Sequence, residues 1–248
     1  MLIKSDIISD IGCVRARNED MILFAGEYFR DKSDMQIFEL SDTARFGAIV
    51  ADGIGGHNGG NIASEMALRQ FEDLLLELPT NLSENDITET LKQWAERTHR
   101  LILDTGFDQP EYEGMGTTFC GLFFYRDMVF ALNIGDSRLY RFRGGILKQL
   151  STDHSIRQLT GILSQSSNQI YNSLGAGKTT FIDIKTISGQ LLDDDLYLIC
   201  SDGLSDMISD QEIENILIET PSAESLVTAA KKAGGEDNVS VILLRIVN

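Results

Sequence analysis

Four aspartates stand where apolar runs of the sequence stop or start. Asp52 and Asp136 follow the runs GAIVA and FALNIG. Asp202 follows YLICS, and Asp237 comes just before VSVILLRI. One Asp-Gly pair is commonly a turn signal, but sheet packing would gather four carboxylates placed at the ends of buried strands. Gathered carboxylates repel and raise one another's pKa, and a bound cation relieves that repulsion. The pattern therefore predicts a metal site.

The predicted ligands are hard oxygen atoms, and a glycine carbonyl is available beside the first of them at Gly53. Such ligands suit Mg²⁺ or Mn²⁺, whereas zinc prefers His or Cys at tetrahedral spacing. Two such ions about 3.5–4 Å apart can lower the pKa of a bridging water and orient it for in-line attack on phosphorus. We therefore expect hydrolysis of a phosphate ester.

A positive side chain should receive the phosphoryl oxygens, and the planar fork of arginine binds two oxygens at once. The segment VRARNED offers Arg15 and Arg17 just before Glu19 and Asp20. Each arginine is explained equally well as ordinary surface charge. Residue type alone therefore leaves both as candidates.

The elements that must position these residues are apolar strands rich in Val, Ile, Phe and Tyr. In the middle of the chain, successive runs are separated by Arg126-Asp127 and by Gly135-Asp136-Ser137. Short polar turns of this kind are typical of antiparallel neighbours, so we predict a meander there. The predicted strands are 46–51, 120–125, 128–134, 138–142, 196–200 and 239–246.

Helical periodicity predicts two pairs of helices. They are 61–77 and 86–104, followed by 210–218 and 222–233. The second helix is predicted to begin with Asp86 as its N-cap and Glu89 as the capping-box partner. Helices in sequential pairs, with strands grouped between them, favour an α+β protein in which helices cover antiparallel sheets.

Composition limits the classes of function. With 42% hydrophobic residues, three prolines and no linker-like stretch, residues 1–248 are predicted to form one domain. The formal charge of −17 has the wrong sign for binding nucleic acid or an anionic membrane. MLIKSDIISD lacks a signal-peptide core and no run is long enough to span a bilayer, so we expect a cytoplasmic protein. The dispersed Cys13, Cys120 and Cys200 are expected to be reduced thiols.

Seven segments follow one another along the chain: IGCVRARNEDMILF, VADGIGGHNGG, GMGTTFCGLFF, LNIGDSRLYRFRGG, STDHS, ICSDGLSDMIS and GGEDNVSVILL. Their order and rough spacing resemble those of the type-2C metal-dependent protein serine/threonine phosphatases, in the form found in bacterial members. The match runs from about residue 10 to residue 246. The resemblance implies an α+β fold, a four-layer α/β/β/α sandwich in which two antiparallel sheets pack face to face with helix pairs outside.

The resemblance also implies two Mn²⁺ or Mg²⁺ ions held by the aspartates of this chain. Asp52 would bridge the two ions, and the Gly53 carbonyl would bind one of them. Asp202 and Asp237 would complete the shell of the other ion. Asp136, together with Asp202, would bind a third and weaker ion.

Other positions take supporting roles by the same resemblance. Glu19 would reach its ion through water, while Asp20 and Asn238 would support the ligands. Arg15 would hold the substrate phosphate, which leaves Arg17 as a surface residue. The substrate would be a protein carrying phosphoserine or phosphothreonine, the enzyme a monomer, and its counterpart a serine/threonine kinase.

The chain departs from the family pattern in two places. Many members, especially eukaryotic ones, carry a histidine directly after the first Asp-Gly, where it is proposed as the general acid. This chain has Ile54 there, which leaves His57 as the nearest candidate proton donor. Residues 156–175 look shorter and more polar than the flap that borders the active site of bacterial members. Residues 27–44 are expected to form an extended hairpin or loop.

Three classes of function remain open: an active protein phosphatase, a catalytically silent relative that binds phosphoproteins, and a metal-dependent hydrolase of small phosphate metabolites. Loss of a metal aspartate would favour the silent relative, and none is lost. Activity on phosphopeptides compared with small phosphate esters separates the first class from the third.

Overall fold

The chain forms fourteen strands within residues 2–41, 44–55, 59–161 and 169–247, the ranges that the computed structural model describes. The strands are β1 (Leu2–Asp10), β2 (Met21–Phe24), β3 (Glu27–Phe29), β4 (Lys32–Glu39), β5 (Arg45–Ala51), β6 (Gly53–Ile54), β7 (Gly116–Thr117), β8 (Phe119–Tyr125), β9 (Met128–Ile134), β10 (Arg138–Arg143), β11 (Ile146–Gln149), β12 (Asp183–Thr186), β13 (Leu196–Cys200) and β14 (Val239–Val247). The helices are α1 (Gly60–Glu77), α2 (Glu84–Asp108), α3 (Ile156–Thr160), α4 (Asp202–Ser205), α5 (Asp210–Glu219) and α6 (Ala223–Lys232), with a 3₁₀ turn at Pro110–Tyr112.

Two six-stranded antiparallel sheets carry the core. The first sheet has the strand order β11-β10-β13-β14-β1-β4, and the second has the order β12-β9-β8-β5-β2-β3. The strands β6 and β7 form a short separate pair. In the first sheet, β1 and β14 pair along their whole length, with Leu2 opposite Val247 and Asp10 opposite Val239.

Three clusters of buried apolar side chains separate four layers. On the outside of the second sheet, Phe71 of α1 and Trp94 of α2 pack edge to face, with ring centroids 5.2 Å apart. Between the sheets, Phe124 and Ile242 belong to a second cluster. On the outside of the first sheet, Leu226 of α6 belongs to a third. The α+β four-layer sandwich predicted from the sequence is therefore confirmed.

The layering explains the strand sequences. Strands β8 and β13 are buried at every position because both of their faces are covered, and they read as unbroken apolar runs. Strand β1 lies nearer the edge of its sheet, and its residues alternate between buried and more exposed. The six strands predicted from apolar runs are present as β5, β8, β9, β10, β13 and β14.

The predicted meander through β8, β9 and β10 is wrong in its second half. Strands β8 and β9 form the expected hairpin in the second sheet, but β10 pairs with β11 and β13 in the first. The turn at Gly135, Asp136 and Ser137 therefore carries the chain from one sheet to the other. Gly135 has φ +100°, and a Cβ there would lie 2.6 Å from a Thr118 methyl group, so this crossing requires glycine.

The four predicted helices are present, although α2 begins earlier than expected. Its N-cap is Ser83, whose hydroxyl accepts a hydrogen bond from the Asp86 N–H at 3.2 Å. The Asp86 carboxylate in turn accepts the Ser83 N–H, which completes a capping box. Asp86 is thus the third residue of the helix, and its predicted role as the N-cap is wrong.

The segment predicted as an extended hairpin or loop is divided between the sheets. Strand β3 pairs with β2 in the second sheet, while β4 pairs with β1 at the edge of the first. Residues 42–43 lie outside the described ranges. No helix in the described part of the chain is both long enough and apolar enough to cross a bilayer.

Candidate active site

The four aspartates singled out in the sequence all lie beside strand ends. Asp52 stands between β5 and β6, and Asp136 lies on the crossing from β9 to β10. Asp202 begins α4 and is separated from the end of β13 by one residue, and Asp237 stands two residues before β14. Because β5 and β9 belong to the second sheet and β13 and β14 to the first, packing of the two sheets brings these side chains together.

Burial and mutual repulsion raise the pKa values of these carboxyls. The pKa of Asp52 lies well above its ordinary value because the group is buried and because Asp20, Asp202 and Asp136 surround it. Burial, and then Asp202, raises the pKa of Asp136 in the same way. In Asp202, burial and Asp237 raise the pKa, whereas a hydrogen bond with Asp52 lowers it. The carboxyls therefore lie within electrostatic reach of one another.

Two oxygens of this group have no hydrogen-bond partner, Asp136 Oδ1 and Asp202 Oδ1, and both are buried. A buried carboxylate oxygen without a donor is unfavourable, and a divalent cation can satisfy it in place of a donor. Across the described ranges, no group of three or more His, Cys, Asp or Glu side chains already has the spacing of a ligand set. The donor chemistry thus fits Mg²⁺ or Mn²⁺, and the side chains must turn toward such an ion to enclose it.

Backbone contacts bring Glu19, Gly53 and Asn238 to the same place. A Cβ on Gly53 would lie 2.3 Å from the Gly60 carbonyl oxygen and 2.6 Å from that of Glu19, so only glycine fits between them. The Ser64 hydroxyl donates to the Glu19 carbonyl at 2.6 Å. The Glu19 N–H donates to Asn238 Oδ1 at 2.8 Å. Glu19 is therefore held between the start of α1 and the segment that leads into β14.

Arg15 lies at the exposed rim of this group. Its side chain is 52% exposed, and its guanidinium donates to Asp237 Oδ2 at 2.6 Å. Burial lowers the pKa of Arg15, but Asp237, Glu19 and Asp202 together raise it above its ordinary value. Arg17 is exposed. The structure thus places Arg15 within the acidic site.

Several buried polar residues support the site without having been predicted from the sequence. The Ser201 hydroxyl donates to Asp20 Oδ2 at 2.8 Å, and the Asp20 N–H donates to Asn18 Oδ1 at 3.1 Å. The Asp52 N–H donates to the Thr118 hydroxyl at 2.9 Å. Asn18, Thr118 and Ser201 lie within the motifs NED, GTT and ICSD, and for Thr118 and Ser201 the available signal is a polar residue directly beside an apolar run.

His57 and residues 162–168 of the predicted flap lie outside the described ranges. The described start of that flap is the short helix α3. A groove of about 920 Å³ lies elsewhere, between β1, β4 and α6, and includes Asp10 and Lys231, which pair with each other at 2.8 Å.

The sequence and the fold are similar to those of known proteins. The Protein phosphatase 2C family matches residues 25–238. A serine/threonine phosphatase, stp of Listeria welshimeri, is 33% identical over 250 residues, which cover 95% of this chain and 93% of the relative.

Solved structures agree with this match. A serine/threonine phosphatase of S. agalactiae superposes with a TM-score of 0.81 at 28% identity, covering 98% of this chain and 99% of the other. The catalytic domain of the phosphatase PstP, solved in complex with two manganese ions, superposes with a TM-score of 0.77 at 28% identity over the whole of both chains. The sequence match and the shared architecture agree, and the chain belongs to the protein phosphatase 2C family, alongside bacterial serine/threonine phosphatases.

Proposed function

We propose that this chain is a metal-dependent protein phosphatase that hydrolyses phosphoserine and phosphothreonine in proteins. One observation carries the proposal: Asp136 and Asp202 each bury a carboxylate oxygen without a partner, in a group of aspartates that raise one another's pKa. When it is ionised, such a group is unfavourable unless it binds cations. The manganese complex of the related PstP domain supports Mn²⁺ as the first cation to test.

The residues that would hold the cations are the acidic cluster and one backbone carbonyl. Asp52 would bind both ions and the carbonyl of Gly53 the first of them, with Glu19 acting through water. Asp202 and Asp237 would bind the second ion, and Asp136 together with Asp202 a third and weaker one. Mg²⁺ is the alternative to Mn²⁺ for the first two ions. When bound, two such ions acidify a water for attack on phosphorus and offset the charge of the phosphoryl oxygens.

Arg15 and the supporting residues have tasks of their own. Arg15 would bind two phosphoryl oxygens through its planar guanidinium, and for this it must release Asp237. Asp20, held by Ser201, and Asn238, held against Glu19, keep the backbone of the site in place. His57 remains the candidate proton donor to the leaving serine or threonine oxygen.

The proposal extends to the setting of the reaction. A site at an exposed rim is open to a phosphorylated segment of another protein, which supports a phosphoprotein as the substrate. A serine/threonine kinase would create that substrate. We also propose that the enzyme acts as a monomer in the cytoplasm. Its charge of −17 opposes binding to nucleic acid or to an anionic membrane, and we propose neither as a partner.

The test is hydrolysis of phosphoserine and phosphothreonine peptides across a Mn²⁺ and Mg²⁺ titration. We expect turnover only with an added cation. The variant Asp202→Asn should lose more than the roughly 10–100-fold that is typical of a residue which only supports a metal ligand. The matched control is Asp127→Asn, in the exposed turn between β8 and β9, which should leave turnover unchanged. Turnover without any divalent cation would contradict the proposal.

The same assay separates the other two classes of function. A catalytically silent phosphoprotein binder would retain peptide binding with no turnover at any cation concentration. A hydrolase of small metabolites would show a higher kcat/KM for small phosphate esters than for phosphopeptides. We expect the phosphopeptides to give the higher kcat/KM.

A further inference from the structure

His154 forms hydrogen bonds with the turn that carries Asp136. It is 2% exposed and lies in the segment between β11 and α3. Its backbone N–H donates to the Gly135 carbonyl at 2.9 Å. In return, the Gly135 N–H donates to the imidazole Nδ1 at 3.1 Å. Both polar backbone groups of Gly135 are therefore bound to one histidine.

The surroundings fix which ring nitrogen of His154 carries the proton. Asn172 accepts the Phe181 N–H through Oδ1 at 3.2 Å, which directs its amide nitrogen toward the imidazole. That nitrogen lies 2.8 Å from Nδ1, so Nδ1 faces two N–H donors and must act as an acceptor. The proton is then on Nε2, which lies 3.1 Å from Asp183 Oδ2 and donates to it.

The position of Gly135 sets the positions of its neighbours. Asp136 follows directly in the chain, and the hydroxyl of Ser137 lies 2.7 Å from that of Thr118. The Thr118 hydroxyl also accepts the Asp52 N–H at 2.9 Å. Since Gly135 has φ +100° and no room for a Cβ, the turn is held through its backbone. A shift of Gly135 would therefore move the Asp136 carboxylate relative to Asp52.

We infer that His154 is a positioning residue, which fixes the Asp136 carboxylate for a cation by accepting the Gly135 N–H at Nδ1. The part of this inference that concerns the cation rests on the function proposed above. The hold on Gly135 is independent of it. Asn172 and Asp183 assist because Asn172 donates to Nδ1 and Asp183 accepts from Nε2.

Two substitutions separate the two sides of the imidazole. In His154→Asn, the amide oxygen occupies the position of Nδ1 and can accept the Gly135 N–H, but the contact with Asp183 is lost. In His154→Gln, the longer amide reaches the position of Nε2 and can donate to Asp183, but the acceptor for Gly135 is lost. Both variants remove the aromatic ring, so effects of lost packing are common to both.

The first measurement is amide hydrogen exchange at Gly135, which needs no cation. We expect His154→Asn to keep the wild-type protection and His154→Gln to exchange about tenfold faster, as for the loss of one hydrogen bond. The second measurement is Mn²⁺ binding by calorimetry. The weakest binding event should lose about 10–100-fold in affinity in His154→Gln, and much less in His154→Asn.

A third variant keeps the inference testable if both His154 variants fail to fold. Asp183 is half exposed, and Asp183→Asn retains an oxygen that can accept the Nε2 proton, so Gly135 should stay protected. Equal protection of Gly135 in His154→Asn and His154→Gln would overturn the inference, as would loss of that protection in Asp183→Asn. Equal Mn²⁺ affinities in the two His154 variants would overturn it as well. Absence of Mn²⁺ binding in the wild type would instead contradict the proposed function, and the exchange contrast would still stand.

Discussion

Arg15 has two competing partners in the proposed reaction. In the structure its guanidinium donates to Asp237 at 2.6 Å, although Asp237 is also a proposed metal ligand. In the proposed reaction, the substrate phosphate would replace Asp237 as the partner of Arg15, and a cation would replace Arg15 as the partner of Asp237. Neither charge is left unpaired by this exchange. The ion pair therefore keeps both side chains near their working positions.

Arg15→Ala should lower kcat/KM for a phosphopeptide by about 10–100-fold, the value of a charge-assisted bidentate contact. Arg15→Lys should recover only part of this, because an ammonium cannot match two oxygens in a plane. The measurement is steady-state kinetics at saturating Mn²⁺. Arg17→Ala, two residues along and exposed, is the matched control. An equal loss in both alanine variants would indicate a general charge effect and contradict the assigned role.

At the scale of residues, the sequence shows which carboxylates gather but not what holds them. The aspartates are recognisable because each stands beside an apolar run. Asn18, Thr118 and Ser201 are short polar residues whose partners lie far away in the chain, as between Ser201 and Asp20. No local pattern specifies such contacts. The ion pair between Arg15 and Asp237 is equally non-local, so only the fold shows it.

The contact between α4 and the segment before β14 depends on one glycine. A Cβ on Gly203 would lie 1.9 Å from the Asn238 carbonyl oxygen, far inside van der Waals contact. Gly203 follows Asp202, and Asn238 follows Asp237. The close approach of the two backbones therefore sets how far apart these two proposed ligands stand.

Gly203→Ala should force the two segments apart and lower the free energy of unfolding by about 1–3 kcal/mol, as overpacking does. Mn²⁺ affinity should fall with it because Asp202 and Asp237 separate. Chemical denaturation and calorimetry measure the two effects. Ser205→Ala, in the same short helix, adds no atom and should change stability by no more than about 0.5 kcal/mol. Wild-type Mn²⁺ affinity in Gly203→Ala would show that this spacing is unimportant for the site.

At the scale of elements, the sequence predicts what each segment is better than where it goes. Continuous apolar runs identify β5, β8 and β13 because burial on both faces removes polar positions. The turn at Gly135, Asp136 and Ser137 is as short as a hairpin turn, yet it carries the chain into the other sheet. A glycine at φ +100° is compatible with a hairpin and with a crossing, so the sequence of the turn does not decide between them. The predicted start of α2 is wrong because Ser83 and Asp86 form a capping box whose N-cap lies three residues before Asp86.

The whole molecule combines a strongly negative charge with an acidic cluster between two sheets. Two sheets each contribute two of the four aspartates, so cations bound there would link the sheets. Unfolded chains cannot gather these ligands. Cation binding should therefore favour the native state by mass action.

Saturation with Mn²⁺, at about 100 times its dissociation constant, should stabilise the protein by about 2.7 kcal/mol per site. For a chain of this size that corresponds to a rise of about 5–10 °C in Tm. Differential scanning calorimetry measures it. KCl at equal ionic strength is the control, and Asp202→Asn should lose most of the rise. The same rise with KCl, or in Asp202→Asn, would assign the effect to general charge screening.

The pairing of β1 with β14 has a consequence for the protein during its synthesis. Leu2 lies opposite Val247, so the pairing of β1 with β14 in the first sheet cannot form until β14 has left the ribosome. Asp237 lies two residues before β14 and leaves the ribosome just ahead of it. A nascent chain that lacks this segment already carries Asp52, Asp136 and Arg15 but lacks Asp237, one of the proposed metal ligands. The order of synthesis thus delays hydrolytic activity until β14 can join the first sheet.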